Sequence, residues 1–220
     1  EHSTEEIIAL EEQIRSLKER YNDLAKKIHD QRVTAGARLA QQVEKELTPL
    51  KLGQARFQIV VETLPDEQYT AYGKDRVSFW VKTNPGLPLG PLSQIASGGE
   101  RSRFLLALRV ALGHAHKVPT LVFDEIDAGT GGAVASAIGK HLKRLSQNQQ
   151  LICITHAPQV AAEANMHLRL EKTHTDKDTE TTLYSLNDKE RIQELARMLS
   201  GQKITEASTQ AAIDLLKASA

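Results

Sequence analysis

The sequence predicts an α/β domain carrying a long coiled-coil helix arm, and three observations carry that prediction. A heptad seam opens the chain. Two alternating apolar and polar runs, residues 56–62 and 77–82, follow it and read as paired strands. A strand, helix, strand succession then fills residues 120–155, which demands a parallel pair with a right-handed crossover. Charged residues make up 25% of the chain and balance to a formal net charge of +0, so any nucleic-acid contact has to rest on local patches. A single cysteine, Cys153, excludes a disulfide framework and fits a reducing cytosol. Apolar runs are short or broken by Arg109, so a membrane span is not expected, and no signal peptide opens the chain. The expectation is a soluble, cytoplasmic protein without a membrane partner.

Residues 1–48 are expected to form the arm and residues 49–220 the globular part. Ile7, Leu10, Ile14, Leu17, Tyr21, Leu24 and Ile28 alternate spacings of three and four, the seam of a coiled coil. Glu11 with Arg15 and Asp23 with Lys27 stand acid-first at i,i+4, the favourable order. A helix over 4–47, ended by Pro49 and Gly53, would run roughly 65 Å at 1.5 Å per residue. No second heptad segment is present to pair with it, so an antiparallel partner helix from another part of the protein or another chain is expected.

After the two strands, "TNPGLPLGPL" (83–92) reads as a turn-rich connector. A helix over 99–116, a strand over 120–125, a helix over 132–146 and a strand over 150–155 come next, then a short helix after Pro158. Two strands near 167–171 and 181–186 flank a polar loop and predict a hairpin, and two helices close the chain.

Three motifs carry chemistry. Ser97 and Glu100 make the S-x-x-E pattern of a capping box at the first of these helices, but a cap does not explain Gly98 and Gly99 between them. Two glycines at a helix N-terminus bare backbone N–H groups where the dipole favours an anion, and Ser97 can add a hydroxyl. The second motif is the apolar strand "TLVFDE", which ends in Asp124 and Glu125. At the C-terminal end of a parallel strand, where α/β sheets bind ligands, one acid can hold Mg²⁺ and the other can act as general base. Third, His156 follows the neighbouring parallel strand and should emerge at the same edge, within reach of a phosphate or a water. An acidic surface turn and a structural histidine are the plainer readings. Cys153 and His156 have C-x-x-H spacing, but no second pair exists to complete a zinc site.

In this order the motifs resemble the C-terminal half of an ABC-type ATPase head of the SMC-like kind: Ser97-Gly98-Gly99-Glu100 the signature motif, "TLVFDE" the Walker B strand, His156 the switch histidine. Within that group "TNPGLPLGPLSQIASGGERSR", "FDEIDAGTGG", "CITHAPQVAA" and "ELARMLSGQKIT" resemble the RecN family of bacterial DNA double-strand-break repair ATPases. Ala96 in place of the signature leucine and Gly131 at the aspartate position of the D-loop fit that family, while Arg101 departs from it. The resemblance implies that Ser97, Gly98, Gly99 and Glu100 bind the ATP of a second head, that Asp124 helps hold Mg²⁺, that Glu125 activates the hydrolytic water, that His156 contacts the γ-phosphate and that Asp127, Ala128 and Gly129 lie in the D-loop. It also implies ATP-driven homodimerisation of heads, action on DNA by the whole protein and a nucleoid-associated setting.

The chain has no G-x-x-x-x-G-K-[ST]; Gly73-Lys74 lacks the loop's other residues. The expectation is therefore a C-terminal portion, inactive alone, whose Walker A loop belongs to an N-terminal lobe. Arg101, Arg103 and Arg109, and Lys140, Lys143 and Arg144, are candidate DNA contacts or else solvated helix faces. Another SMC-like chromosome-organising or recombination ATPase, or a non-catalytic coiled-coil scaffold, are the alternatives.

Overall fold

The computed structural model describes residues 2–94, 98–113, 119–174, 178–201 and 203–219. Contacts divide the chain into two compact units, residues 1–45 with 54–94 and residues 46–53 with 95–220.

The first unit holds a helix and a small sheet. Helix α1 (His2–Leu47) is followed by strands β1 (Arg56–Thr63), β2 (Asp75–Lys82) and β3 (Gly90–Pro91), antiparallel in the order β1-β2-β3. Phe57 pairs with Val81, Ile59 with Phe79 and Val61 with Val77, which puts six apolar side chains on one face of the sheet. Gly36 lets α1 come close to that face, since a Cβ there would stand 3.3 Å from Ile59 Cγ2. Ile7, Leu10, Ile14, Leu17 and Leu24 of the heptad seam are exposed, whereas Tyr21 and Ile28 are partly covered. Arg15 pairs with Glu12 at 2.8 Å rather than with Glu11.

From Tyr21 onward the helix is tied to the β1–β2 segment by polar groups. Tyr21 Oη donates to the Thr70 carbonyl (3.0 Å), and Lys74 Nζ lies 4.3 Å from the Tyr69 ring centre. Asp75, its side chain 1% exposed, receives His29 Nδ1 at 2.8 Å and Arg32 Nη1 at 3.0 Å. Burial alone would raise the Asp75 carboxyl, but the hydrogen bonds to His29 and Arg32 outweigh it and hold it below its ordinary value.

In the second unit α1 gives way to a 3₁₀ turn, Thr48–Leu50, and the chain reverses at Lys51 with φ 58°, so a lysine, not Gly53, takes the left-handed position. Helix α2 (Gly98–Leu112), strand β4 (Thr120–Asp124), helix α3 (Gly132–Ser146), strand β5 (Gln150–Ile154) and helix α4 (Pro158–Ala162) follow. Strands β6 (Leu168–His174) and β7 (Thr179–Ser185) form the expected hairpin, and helices α5 (Asp188–Ser200) and α6 (Glu206–Ser219) end the chain. The described part of α2 ends before Gly113 at φ +53°; the expected extension to 116 runs into residues 114–118, outside the described residues.

Strands β4 and β5 are parallel, with Val122 opposite Ile152 and Asp124 opposite Ile154. Phe123 is buried and Leu121, Leu151 and Cys153 are half-buried on one face of this pair. The other face is bare: Val122 is 62% exposed, Ile152 47% and Ile154 54%. Most of the rest of the core is helical. Leu195, Ala196 and Ala212 of α5 and α6 pack with Ala161 and Ala162 of α4. At Gly139 an added Cβ would stand 3.0 Å from the Gln159 carbonyl and 3.3 Å from Val160 Cα, so α3 meets α4 through a glycine. That close crossing holds α4, which begins two residues after His156, against α3. Asn187 caps α5 in a full capping box with Glu190.

Candidate functional site

The geometry of the site follows from the parallel pairing of β4 and β5, which brings their C-terminal ends to one edge. Asp124 ends β4, exposed, on the bare face beside Ile154. The Glu125 N–H donates to the Ile154 carbonyl at 3.1 Å, carrying the ladder one step past the strand. Glu125 then turns to φ 46°, a left-handed conformation that costs a side-chain-bearing residue about 1 kcal/mol. Strand alternation would send its side chain to the covered face with Phe123; the turn breaks the alternation and Glu125 is exposed. Two turn bonds hold this shape, from Ala128 N–H to the Glu125 carbonyl (3.0 Å) and from Thr130 N–H to the Asp127 carbonyl (3.0 Å).

His156 leaves the end of β5, and its side chain is 75% exposed. Its Nδ1 lies 3.9 Å from Asp127 Oδ2, and the Asp127 side chain is 0% exposed. The same oxygen accepts hydrogen bonds from Thr155 Oγ1 (2.7 Å) and the Ala157 N–H (3.1 Å). The turn after β4 is thereby bonded to the turn after β5. Burial, with Asp127 and Asp124 adding to it, pushes the Cys153 thiol up to about 12, so it is a neutral packing group at this edge.

The start of α2 reaches the same loop. A Cβ on Gly99 would stand 3.2 Å from the Ala128 carbonyl and 3.4 Å from Arg103 Nη1, while one on Gly98 would meet nothing within 4 Å among the described residues. The two glycines thus answer different needs: Gly99 permits a close approach within the chain, and Gly98 leaves an open face. Among the described residues Arg103 Nε and Nη1 are buried without a hydrogen-bond partner, and burial lowers this guanidinium below its usual value while Glu100 partly offsets that. Ser97, the expected cap, lies outside the described residues.

Glu125, Asp127, Ala128, His156 and Gly99 therefore surround one loop, with Asp124 at its base. The basic candidates after Gly139 are engaged elsewhere: Arg144 pairs with Glu46 at 2.6 Å, His141 lies 3.0 Å from the same carboxyl, and Lys143 stands 3.7 Å from Glu163. Lys140 and Arg101 are exposed. Thr155 and the left-handed Glu125 were not legible in the sequence: nothing in "CITHA" marks that hydroxyl as the partner of an acid 28 positions earlier.

Among the described residues no three His, Cys, Asp or Glu side chains are placed to hold a metal ion together. One exposed carboxylate at a strand end suits an ion that keeps its waters and shares phosphate oxygens, which is the habit of Mg²⁺. Among the described residues no helix is long and apolar enough to cross a membrane.

The sequence model of the RecF/RecN/SMC N terminal domain family matches residues 3–179. The DNA repair protein RecN of Rickettsia felis is 45% identical over 200 residues, 91% of this chain and 36% of the relative. RecN of Vibrio cholerae is 37% identical over 215 residues, 97% of this chain and 38% of the relative. The chain thus spans little more than a third of these curated relatives. Among solved structures, the Smc head domain with a coiled coil and joint from Pyrococcus yayanosii matches with TM-score 0.60 at 20% identity, covering 87% of this chain and 35% of that one. The Smc head domain with an extended coiled coil from Pyrococcus furiosus, bound to the C-terminal domain of ScpA, gives 0.56 at 21% identity, covering 86% and 45%. These two likenesses bear on the fold.

Proposed function

Because the chain belongs to the RecF/RecN/SMC family, we propose that the edge formed by α2, β4 and β5 is the C-terminal half of an SMC-like ATPase head, acting in DNA double-strand-break repair. The observation that carries this reading is the meeting of three separate motifs at one loop: Gly99 against Ala128, Asp127 bonded on both sides of His156, and Glu125 bent out of the strand. A non-catalytic scaffold would have no use for a strained glutamate at that point.

In this reading Glu125 is the general base that takes the proton of the attacking water, and its outward turn gives the carboxylate access to solvent. Asp124 would hold Mg²⁺ together with phosphate oxygens, and the ion supplies charge neutralisation of the phosphates when bound. His156, exposed beside Asp127, faces the terminal phosphate. Ser97, Gly98, Gly99 and Glu100 present the α2 N-terminus to the ATP of a second head, Gly98 being the open position. Asp127, Ala128 and Gly129 make the D-loop between them.

The chain has no Walker A loop to cradle the α- and β-phosphates, so an N-terminal lobe supplies it, and the chain alone does not turn ATP over. What supports such a lobe is the bare face of Val122, Ile152 and Ile154, because parallel strands are stable with both faces covered. Residues 1–48 serve as the arm, whose exposed Ile7, Leu10, Ile14 and Leu17 meet an antiparallel helix. Residues 49–220 serve as the lobe. DNA is a partner of the whole protein.

The test is Glu125→Gln in a protein carrying both lobes. Turnover should fall by about 100-fold or more while ATP still drives heads together, measured by phosphate release and by light scattering. Turnover near the wild-type rate would remove Glu125 from its role and the ATPase assignment with it.

A further inference from the structure

We propose that Asp127 is a positioning residue, whose one carboxylate oxygen holds the His156 turn in register with the Glu125 turn; the inference rests on the roles given above to those two residues. Asp127 has no exposed side-chain surface, and a carboxylate in that setting is tolerated only where hydrogen bonds replace its water. Oδ2 receives the Thr155 hydroxyl at 2.7 Å and the Ala157 N–H at 3.1 Å, and Thr155 Oγ1 also accepts from that N–H at 3.0 Å. The residues on both sides of His156 are therefore gripped by one atom, which leaves the imidazole free in rotation but not in position.

The other end of the clamp is equally fixed. The Asp127 carbonyl accepts from Thr130 N–H at 3.0 Å and from Thr130 Oγ1 at 2.7 Å, inside the turn that keeps Glu125 at φ 46°. A strained residue persists only where its surroundings over-determine it, and Asp127 supplies part of that constraint. A clamp of plain hydrogen bonds would use both oxygens. Among the described residues Oδ1 is buried with no partner, while His156 Nδ1 stands 3.9 Å from Oδ2. The carboxylate thus keeps unused acceptor capacity beside an imidazole less than 1.5 Å beyond bonding range. Once Nδ1 engages Asp127, Nε2 is the nitrogen directed outward, and the ring orientation is set by a residue that itself touches no substrate. The other members of the site do not offer this. Asp124 is at the strand end, Glu125 faces solvent, and Cys153 is a half-buried neutral thiol.

Two measurements on the two-lobed protein test the proposal. Asp127→Ala should lower kcat roughly 10- to 100-fold with little change in KM, and should cost less than about 2-fold more when His156 is already alanine. Thr155→Val, which removes one leg of the clamp and keeps the side-chain volume, should show the same coupling with a smaller loss, and serves if the alanine variant fails to fold. Equal fold-losses with and without His156 would overturn the proposal. Hydrogen exchange supplies a readout independent of turnover: the Ala157 amide should be protected in the wild type, exchange faster in Asp127→Ala, and do so to a smaller degree in Thr155→Val, which leaves the bond to Asp127. Unchanged protection overturns the clamp. A wild-type protein that hydrolyses no ATP would defeat the ATPase reading instead, and the exchange result would still judge the clamp.

Discussion

Gly98 and Gly99 stand side by side and predict opposite outcomes. Gly98→Ala adds a methyl group to open space, so the stability of the chain should stay within about 0.5 kcal/mol of wild type. If the helix start serves a nucleotide brought by another head, ATP-driven association should nevertheless weaken in that variant. Gly99→Val forces side-chain atoms toward the Ala128 carbonyl, only 3.2 Å from a Cβ, and should lower stability by about 1–3 kcal/mol by urea titration. A Gly98→Ala protein that associates normally with ATP would reduce the motif to a helix start. At this scale the sequence was informative about chemistry and silent about conformation. Asp124, Glu125 and His156 were legible because an apolar strand that stops on a charged or polar group announces a sheet edge. The left-handed φ of Glu125 and the bond from Thr155 to Asp127 were not, since both depend on how two turns distant in sequence meet.

Between elements, the Asp75 cluster decides how α1 is held on its sheet. Its carboxyl sits below the unfolded value of about 3.9, so its contribution to stability is complete above that value and is lost as pH falls through the lower, folded value. Asp75→Ala should therefore cost about 2 kcal/mol or more at pH 7, because His29 and Arg32 lose their acceptor. The deficit should shrink as pH falls below about 4, and urea titrations at several pH values would read it. An equal deficit at pH 7 and in acid would mean that the cluster does not hold the helix. Element boundaries were largely legible: α3 (Gly132–Ser146) matches its expected span, and β5 (Gln150–Ile154) stops one residue short, because period and punctuation mark both. The capping box of Asn187 and Glu190 emerged only with the structure. Nothing local marks the two-residue strand β3, which exists only through pairing with β2.

For the whole molecule the telling surface is the bare face of β4 and β5. In the sequence "TLVFD" and "QLICI" read as a parallel pair, and which face is left open cannot be seen there, because the cover consists of other residues. Ile154→Asp places a charge on a side chain that is already exposed, so the fold of the chain should tolerate it. Binding to the proposed N-terminal lobe, measured by calorimetry between separately purified lobes, should weaken by about 100-fold or more. Unaltered affinity would mean that the lobe docks elsewhere.

The grip of Asp75, His29 and Arg32 on α1 also has a mechanical side. The tie nearest its free end is at Tyr21, and from there the rod extends about 21 Å to Ile7 at 1.5 Å per residue. A rotation of about 8° at that foot would carry the far end sideways by about 3 Å, over half a helical pitch. Small rearrangements of the β1–β2 hairpin are in this way geared up into displacements large enough to shift one helix against another.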